Sequence, residues 1–201
     1  MGRRLSCVLV TVAALACLPA ANAFAAGPAD AALSRSAAVS EASARRSSAS
    51  DECGGELGLG APAPAQEATM LCLVNDARAR FELPPMSQSP QLRESAVDKA
   101  DDLLRCDEFS HTACGRPFYY WIDENGYMSA PCWRVGENLA WGVEEDGTVG
   151  AIFRAWMRSP THRANILGNF DETGIELRVG PLGGLSGVHL WTEHFGSHCG
   201  S

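Results

Sequence analysis

The chain has 201 residues, 46% of them hydrophobic, and sets 24 acidic against 16 basic side chains for a formal charge of −8. An acidic balance of that size repels nucleic acid and anionic lipid surfaces and excludes both as general partners. The hydrophobic fraction and the length suit one core-forming domain with room to spare for exported or tethering segments.

Arg3 and Arg4 precede an uncharged stretch from Leu5 to Ala21, with small residues at Ala21, Ala23 and Ala25. That is the layout of a secretory signal peptide over residues 1–25, cleaved after Ala23 or Ala25. Ala14-Leu15-Ala16-Cys17 resembles a lipoprotein cleavage box with its first Leu replaced, so lipid anchoring at Cys17 is the alternative exit and the only route to a membrane. Without Arg3 and Arg4 the chain keeps 14 basic and 24 acidic groups, a charge of −10. Residues 26–66 then read as an Ala-, Ser- and Pro-rich linker: 15 of the 24 residues from Gly27 to Ser50 are Ala or Ser. A segment without hydrophobic period cannot bury enough surface to offset its ordering entropy.

An ordered domain is expected over residues 67–199. Met70, Leu73, Val74, Ala77 and Phe81 recur at helical spacing, ended by Pro84-Pro85. Ser89-Pro90 opens a second helix striped by Leu92, Ala96, Val97, Ala100, Leu103 and Leu104. From Phe109 to Trp141 aromatics and turn residues predict loops around one short helix, with the aromatics 118–121 as core anchors or a cleft wall. Val149, Ile152, Phe153, Trp156 and Met157 restore helical period, interrupted at Ser159-Pro160 and resumed through Leu167. The tail changes period, with Ile175, Leu177 and Val179, then Val188 to Phe195, alternating as two antiparallel strands around a Gly-rich loop. Helices first and strands last make an α+β domain.

With the signal removed, Cys53, Cys72, Cys106, Cys114, Cys132 and Cys199 remain, an even set that reads as three disulfides in an oxidising compartment. Fifteen pairings exist. Cys114–Cys132 is the expected bridge, because both flank one aromatic segment, and a loop that short contributes about 3 kcal/mol on the chain-entropy model. Cys72, inside a helical pattern, has a buried free thiol as its alternative.

Three polar insertions stand between apolar elements: Phe109-Ser110-His111-Thr112, the turn-like Gly136-Glu137-Asn138, and Ser159-Pro160-Thr161-His162-Arg163. Ser159 reads as a helix cap. Ser110 is too close in sequence to use His111 as a base, and GGLSG lacks the spacing of a hydrolase elbow. His189 and His194 lie five apart on one strand, hence on opposite faces; His194, like Glu193, reaches a cleft only if its face points that way, and a packed or edge-exposed position is the expected state.

The ordered blocks LCLVNDARAR, FSHTACGRPF, VGENLAWG, AWMRSPTHRANIL, FDETGIEL and WTEHFG together resemble the bacterial secreted branch of the CAP superfamily: cysteine-rich secretory proteins, antigen 5 and pathogenesis-related proteins. The resemblance implies an α-β-α sandwich, a small antiparallel sheet between helices. It implies a cleft lined by two His and two Glu, in which some members hold a divalent metal on the His pair. Carried over by motif, the cleft residues are His111, Glu137 and His162, with His111 and His162 as metal ligands; Glu137 is the candidate catalytic residue, a base if the site is hydrolytic. The fourth acid, three residues after the helix Trp in relatives, is absent: Ser159 stands at that distance from Trp156.

Two imidazoles and a carboxylate suffice for an open Zn²⁺ site, or one for another divalent cation; the competing reading has the three residues hydrogen-bond one another to order the loops. Two functions follow from the resemblance. One is an extracellular binding module for a small apolar ligand, a cell-envelope component or a protein; the other is a metal-dependent hydrolase using His111, His162 and Glu137.

Overall fold

The structure is a computed structural model that describes Cys53 and residues 57–199. The expected signal segment, most of the linker and Cys17 lie outside the described residues. Among the described residues no helix is long and apolar enough to cross a membrane.

The first helix, α1 (Ala63–Ala79), begins ahead of the Glu67 expected from periodicity and takes in the last residues assigned to the linker. Pro64 permits this, because the first helical turn has no intrahelical use for the N–H that proline lacks. Phe81 falls beyond the end of α1 and is 51% exposed rather than in the core; the Arg163 guanidinium lies 4.9 Å from its ring centre. After β1 (Ser87–Gln88) comes α2 (Pro90–Arg105), which opens at Ser89-Pro90 as its sequence predicts. Ser89 holds the capping position without a capping side-chain bond, its Oγ lying 3.2 Å from Gln91 Oε1.

The segment read as loops holds a 3₁₀ turn at Ala113–Gly115, the short helix α3 (Tyr120–Glu124), a second 3₁₀ turn at Tyr127–Ser129 and a ten-residue strand, β2 (Trp133–Gly142). A 3₁₀ turn at Glu144–Gly147 leads into α4 (Val149–Arg158), α5 (Pro160–Ile166), β3 (Glu172–Leu182) and β4 (Leu185–His198). The hairpin between β3 and β4 turns on Gly183 and Gly184, both at positive φ.

The sheet order is β1-β3-β4-β2, with β3, β4 and β2 antiparallel and only the two-residue β1 parallel to its neighbour. Strand alternation sorts β4 into two faces. Trp191 and Phe195 join Met70, Val74, Ile152, Trp156, Ile166, Ile175 and Leu177 in the larger core, under α1, α4 and α5. Leu190 and Val188 join Ala100, Leu103, Leu139 and Leu182 in a second core, under α2. Helices therefore cover both faces of a small sheet. Gly174 lets α2 approach: a Cβ there would stand 2.1 Å from the Leu92 carbonyl carbon.

The disulfides are Cys53–Cys72, Cys106–Cys114 and Cys132–Cys199. The expected Cys114–Cys132 bridge is not formed, and Cys72 is not a free thiol. Register explains the correction: Trp133 pairs with His198, so the residues just outside that pair, Cys132 and Cys199, sit side by side with Cα atoms 5.4 Å apart. Cys114 instead reaches the C-terminal end of α2 at Cys106.

Candidate functional site

The cluster that brings the expected residues together is built on three rigid elements and one loop. Glu137 sits mid-strand on β2, not in a turn, and pairs across the ladder with His194 of β4. Directly opposed residues share a face, so both side chains point toward α2, whose Ser95 and Lys99 interrupt its apolar stripe one turn apart. Ser95 and His194 are 0% exposed and Lys99 2%.

The Glu137 side chain is 1% exposed and both of its oxygens are engaged. Oε1 lies 2.6 Å from His111 Nδ1 and Oε2 3.0 Å from His194 Nε2. Lys99 Nζ is 4.0 Å from Oε2 and donates at 2.9 Å to the His111 carbonyl, tying down the loop that carries the histidine. Burial opposes ionisation of Glu137, but the bonds from His111 and His194 and the charges of His194 and Lys99 outweigh it and hold the carboxyl below its ordinary range. Burial likewise lowers the Lys99 pKa, with Glu137, Asp102 and Glu108 acting against it.

His111 is the exposed end of this chain of groups, its side chain 57% accessible. His162, on α5, is half-buried, and its pKa is lowered by burial first and by the His111 charge second. The two imidazoles are thus near enough to feel one another. The backbone around His162 is held from β2: Asn138 Nδ2 donates to the His162 carbonyl at 3.2 Å, and Asn165 Nδ2 donates to Asn138 Oδ1 at 2.9 Å and to the Glu137 carbonyl at 3.1 Å. With Trp156 Nε1 on the Leu139 carbonyl at 3.2 Å, these bonds close the outer edge of β2.

The remaining candidates take structural positions. Ser159 Oγ meets Thr161 Oγ1 at 3.1 Å, and Ser110 Oγ meets Thr112 Oγ1 at 3.0 Å rather than an imidazole. His189 lies on the opposite face from His194 and bonds the Gly187 carbonyl at 3.3 Å. Trp121 donates to Asp102 at 2.8 Å under the Arg116 guanidinium, an anchor for α3. Glu193 is buried on the α1 side of the sheet, away from the cluster.

Sequence offers His194 only as a strand residue whose face decides whether it reaches the cleft, and gives no sign of Lys99 and Ser95 beyond their being polar residues within the apolar stripe of a helix. Among the described residues no group of three or more His, Cys, Asp or Glu side chains is arranged to hold a metal. What is present is a carboxylate–histidine pair: an ionised Glu137 can only accept from His111 Nδ1, which leaves His111 Nε2 as the lone-pair atom, a pattern common behind metal ligands. A groove of about 610 Å³ lies elsewhere, between the end of β2 and α4, lined by Trp141, Ile152, Ala155 and Arg158 among others. Phe109, Trp141 and Leu185 are exposed beside it. The groove offers apolar surface; the cluster holds the ionisable chemistry.

Comparison with known proteins agrees with the fold. Residues 71–195 match the family described as CAP, the Cysteine-rich secretory protein family. The chain belongs to that family. It is 30% identical over 134 residues to the uncharacterized protein YkwD of Bacillus subtilis (strain 168), covering 65% of this chain and 47% of the relative. This chain thus matches about half the length of that relative. Its fold is similar to that of an outer surface protein from Borrelia burgdorferi, with a TM-score of 0.52 at 19% identity over 64% of this chain and 90% of that one. It is also similar to a cysteine-rich secretory protein from Staphylococcus aureus subsp. aureus Mu50, with a TM-score of 0.51 at 20% identity over 68% of this chain and 40% of that one. Family membership and three disulfides mark an extracellular CAP protein, since such bridges persist outside the reducing cytoplasm.

Proposed function

We propose that this chain is an extracellular binding module in which His111 and His162 hold a divalent cation and, through it, a ligand. The observation that carries the reading is the complete engagement of Glu137. A general base must reach the proton it removes, and a carboxylate 1% exposed with both oxygens bonded is turned away from cleft water. Glu137 serves His111 instead, fixing Nδ1 as donor and Nε2 as acceptor. His162, its pKa lowered, stays neutral and ligand-competent below the ordinary histidine range.

A cation held there would supply a Lewis-acid centre with open positions for oxygen donors of a ligand. The apolar body of such a ligand is assigned to the exposed surface around Trp141, Phe109 and Leu185.

Calorimetric titration of the metal-free chain with Co²⁺ or Zn²⁺ near pH 7 is expected to show one site, lost in the H111A and H162A variants. Uptake unchanged by both substitutions would remove this site, and Glu137-dependent turnover of ester or peptide substrates would favour the hydrolase instead.

A further inference from the structure

We propose that His194 is a positioning residue for His111, acting through Glu137; the inference rests on the binding role assigned to His111 above. Four groups form a line from core to surface: Ser95 Oγ to His194 Nδ1 at 2.7 Å, His194 Nε2 to Glu137 Oε2 at 3.0 Å, and Glu137 Oε1 to His111 Nδ1 at 2.6 Å. The first three members stand on α2, β4 and β2, and His111 alone is on a loop.

A carboxylate attached at one carbon can rotate, and a bond to only one of its oxygens leaves the other free to turn. His194 fixes Oε2 from inside the sheet, so Oε1 is aimed at His111. The hydrogen count supports this direction. Ionised Glu137 has no proton to give, so His194 Nε2 donates to it. The Ser95 hydroxyl has one proton and two acceptors in reach, His194 Nδ1 and the Leu92 carbonyl at 2.9 Å. If that proton goes to Nδ1, His194 is neutral; if it goes to Leu92, Nδ1 donates to Ser95 instead. Nε2 donates to Glu137 in both arrangements, so the hold on the carboxylate does not depend on which one obtains. Lys99, 4.0 Å from the same oxygen, adds charge but contacts Glu137 less closely than either imidazole. Gly174, opposite His194 on β3, brings α2 close enough for Ser95 to close the line.

The test uses the whole metal-free chain with ¹⁵N-labelled histidine and reads the tautomers by long-range ¹H–¹⁵N correlation. The wild type is expected to carry a proton on His194 Nε2 and on His111 Nδ1; a bare His194 Nε2 overturns the proposal without any variant. H194M fills the buried slot and donates nothing, and is expected to return His111 to a mixture of tautomers and to weaken Co²⁺ binding by about 10-fold or more, the usual effect of losing a supporting bond behind a ligand. H194Q, whose amide can still donate to Oε2, is expected to keep the His111 Nδ1 proton and to bind Co²⁺ within about threefold of wild type. Equal loss in H194M and H194Q, or no change in either, overturns the positioning role. Absence of Co²⁺ binding in the wild type would sink the binding reading alone, because the tautomer measurement still decides what His194 does.

Discussion

Glu193 offers the sharpest quantitative prediction. It is fully buried beneath α1, with Thr173 Oγ1 at 3.2 Å from Oε1 and no hydrogen-bond partner on Oε2 among the described residues. Burial pushes its carboxyl up to about 8, opposed by the Thr173 bond and the Arg78 charge. Between the ordinary value of 4.5 and about 8 the native state keeps a proton that the unfolded chain has lost, so stability must fall as pH rises through that window. At about 1.4 kcal/mol per pH unit, the loss reaches about 3 kcal/mol at pH 7 and on the order of 5 kcal/mol above pH 8. E193Q keeps the shape and has no proton to lose. Urea unfolding of both proteins from pH 5 to pH 9, disulfides intact, should give curves that lie together in acid and diverge upward in favour of E193Q. Parallel pH profiles would refute the reasoning, since every other titrating group is common to the pair.

Arg78, 1% exposed, donates to the carbonyls of Pro84, Ile166, Gly168 and Phe170 at 2.8 to 2.9 Å. R78A strands those acceptors beside buried Glu193 and should destabilise by about 4 kcal/mol or more; a loss under about 1 kcal/mol in thermal or urea unfolding would show that water replaces the guanidinium. The bridges span 67, 19 and 8 residues, so chain entropy ranks their removal at about 4, 3 and 2 kcal/mol. Paired Cys→Ser variants in the order Cys132–Cys199, Cys53–Cys72, Cys106–Cys114 should follow that ranking, and an inverted order in denaturant midpoints would contradict it.

What sequence made legible was local period. Leu92, Ala96, Ala100 and Leu103 define α2, and Ile175 and Leu177 define β3, because each pattern is complete within its own element. β2 was not legible: Gly136, Glu137 and Asn138 look like a turn when their partners are unseen. The glycine there makes room for the Phe170 ring, the Asn is held by Asn165, and the Glu is satisfied by a histidine 57 residues onward. Cysteine pairing failed for the same reason, since it follows the β2–β4 register rather than loop length. His111, Glu137 and His162 were reached through family resemblance. Lys99 and Ser95 were hidden inside a helix stripe whose apolar members told only part of its environment.

Cys53 is joined to Cys72, in the middle of α1, and Cys199 to Cys132, at the start of β2. Tension arriving from the N-terminal side therefore enters at the helix interior and bypasses its first two turns, which would otherwise peel one hydrogen bond at a time. At the other end, β4 cannot unzip from β2 starting at its last residues. A domain clasped this way resists pulling and end-trimming by proteases until a covalent bond is cut, a mechanical property suited to work outside the cell.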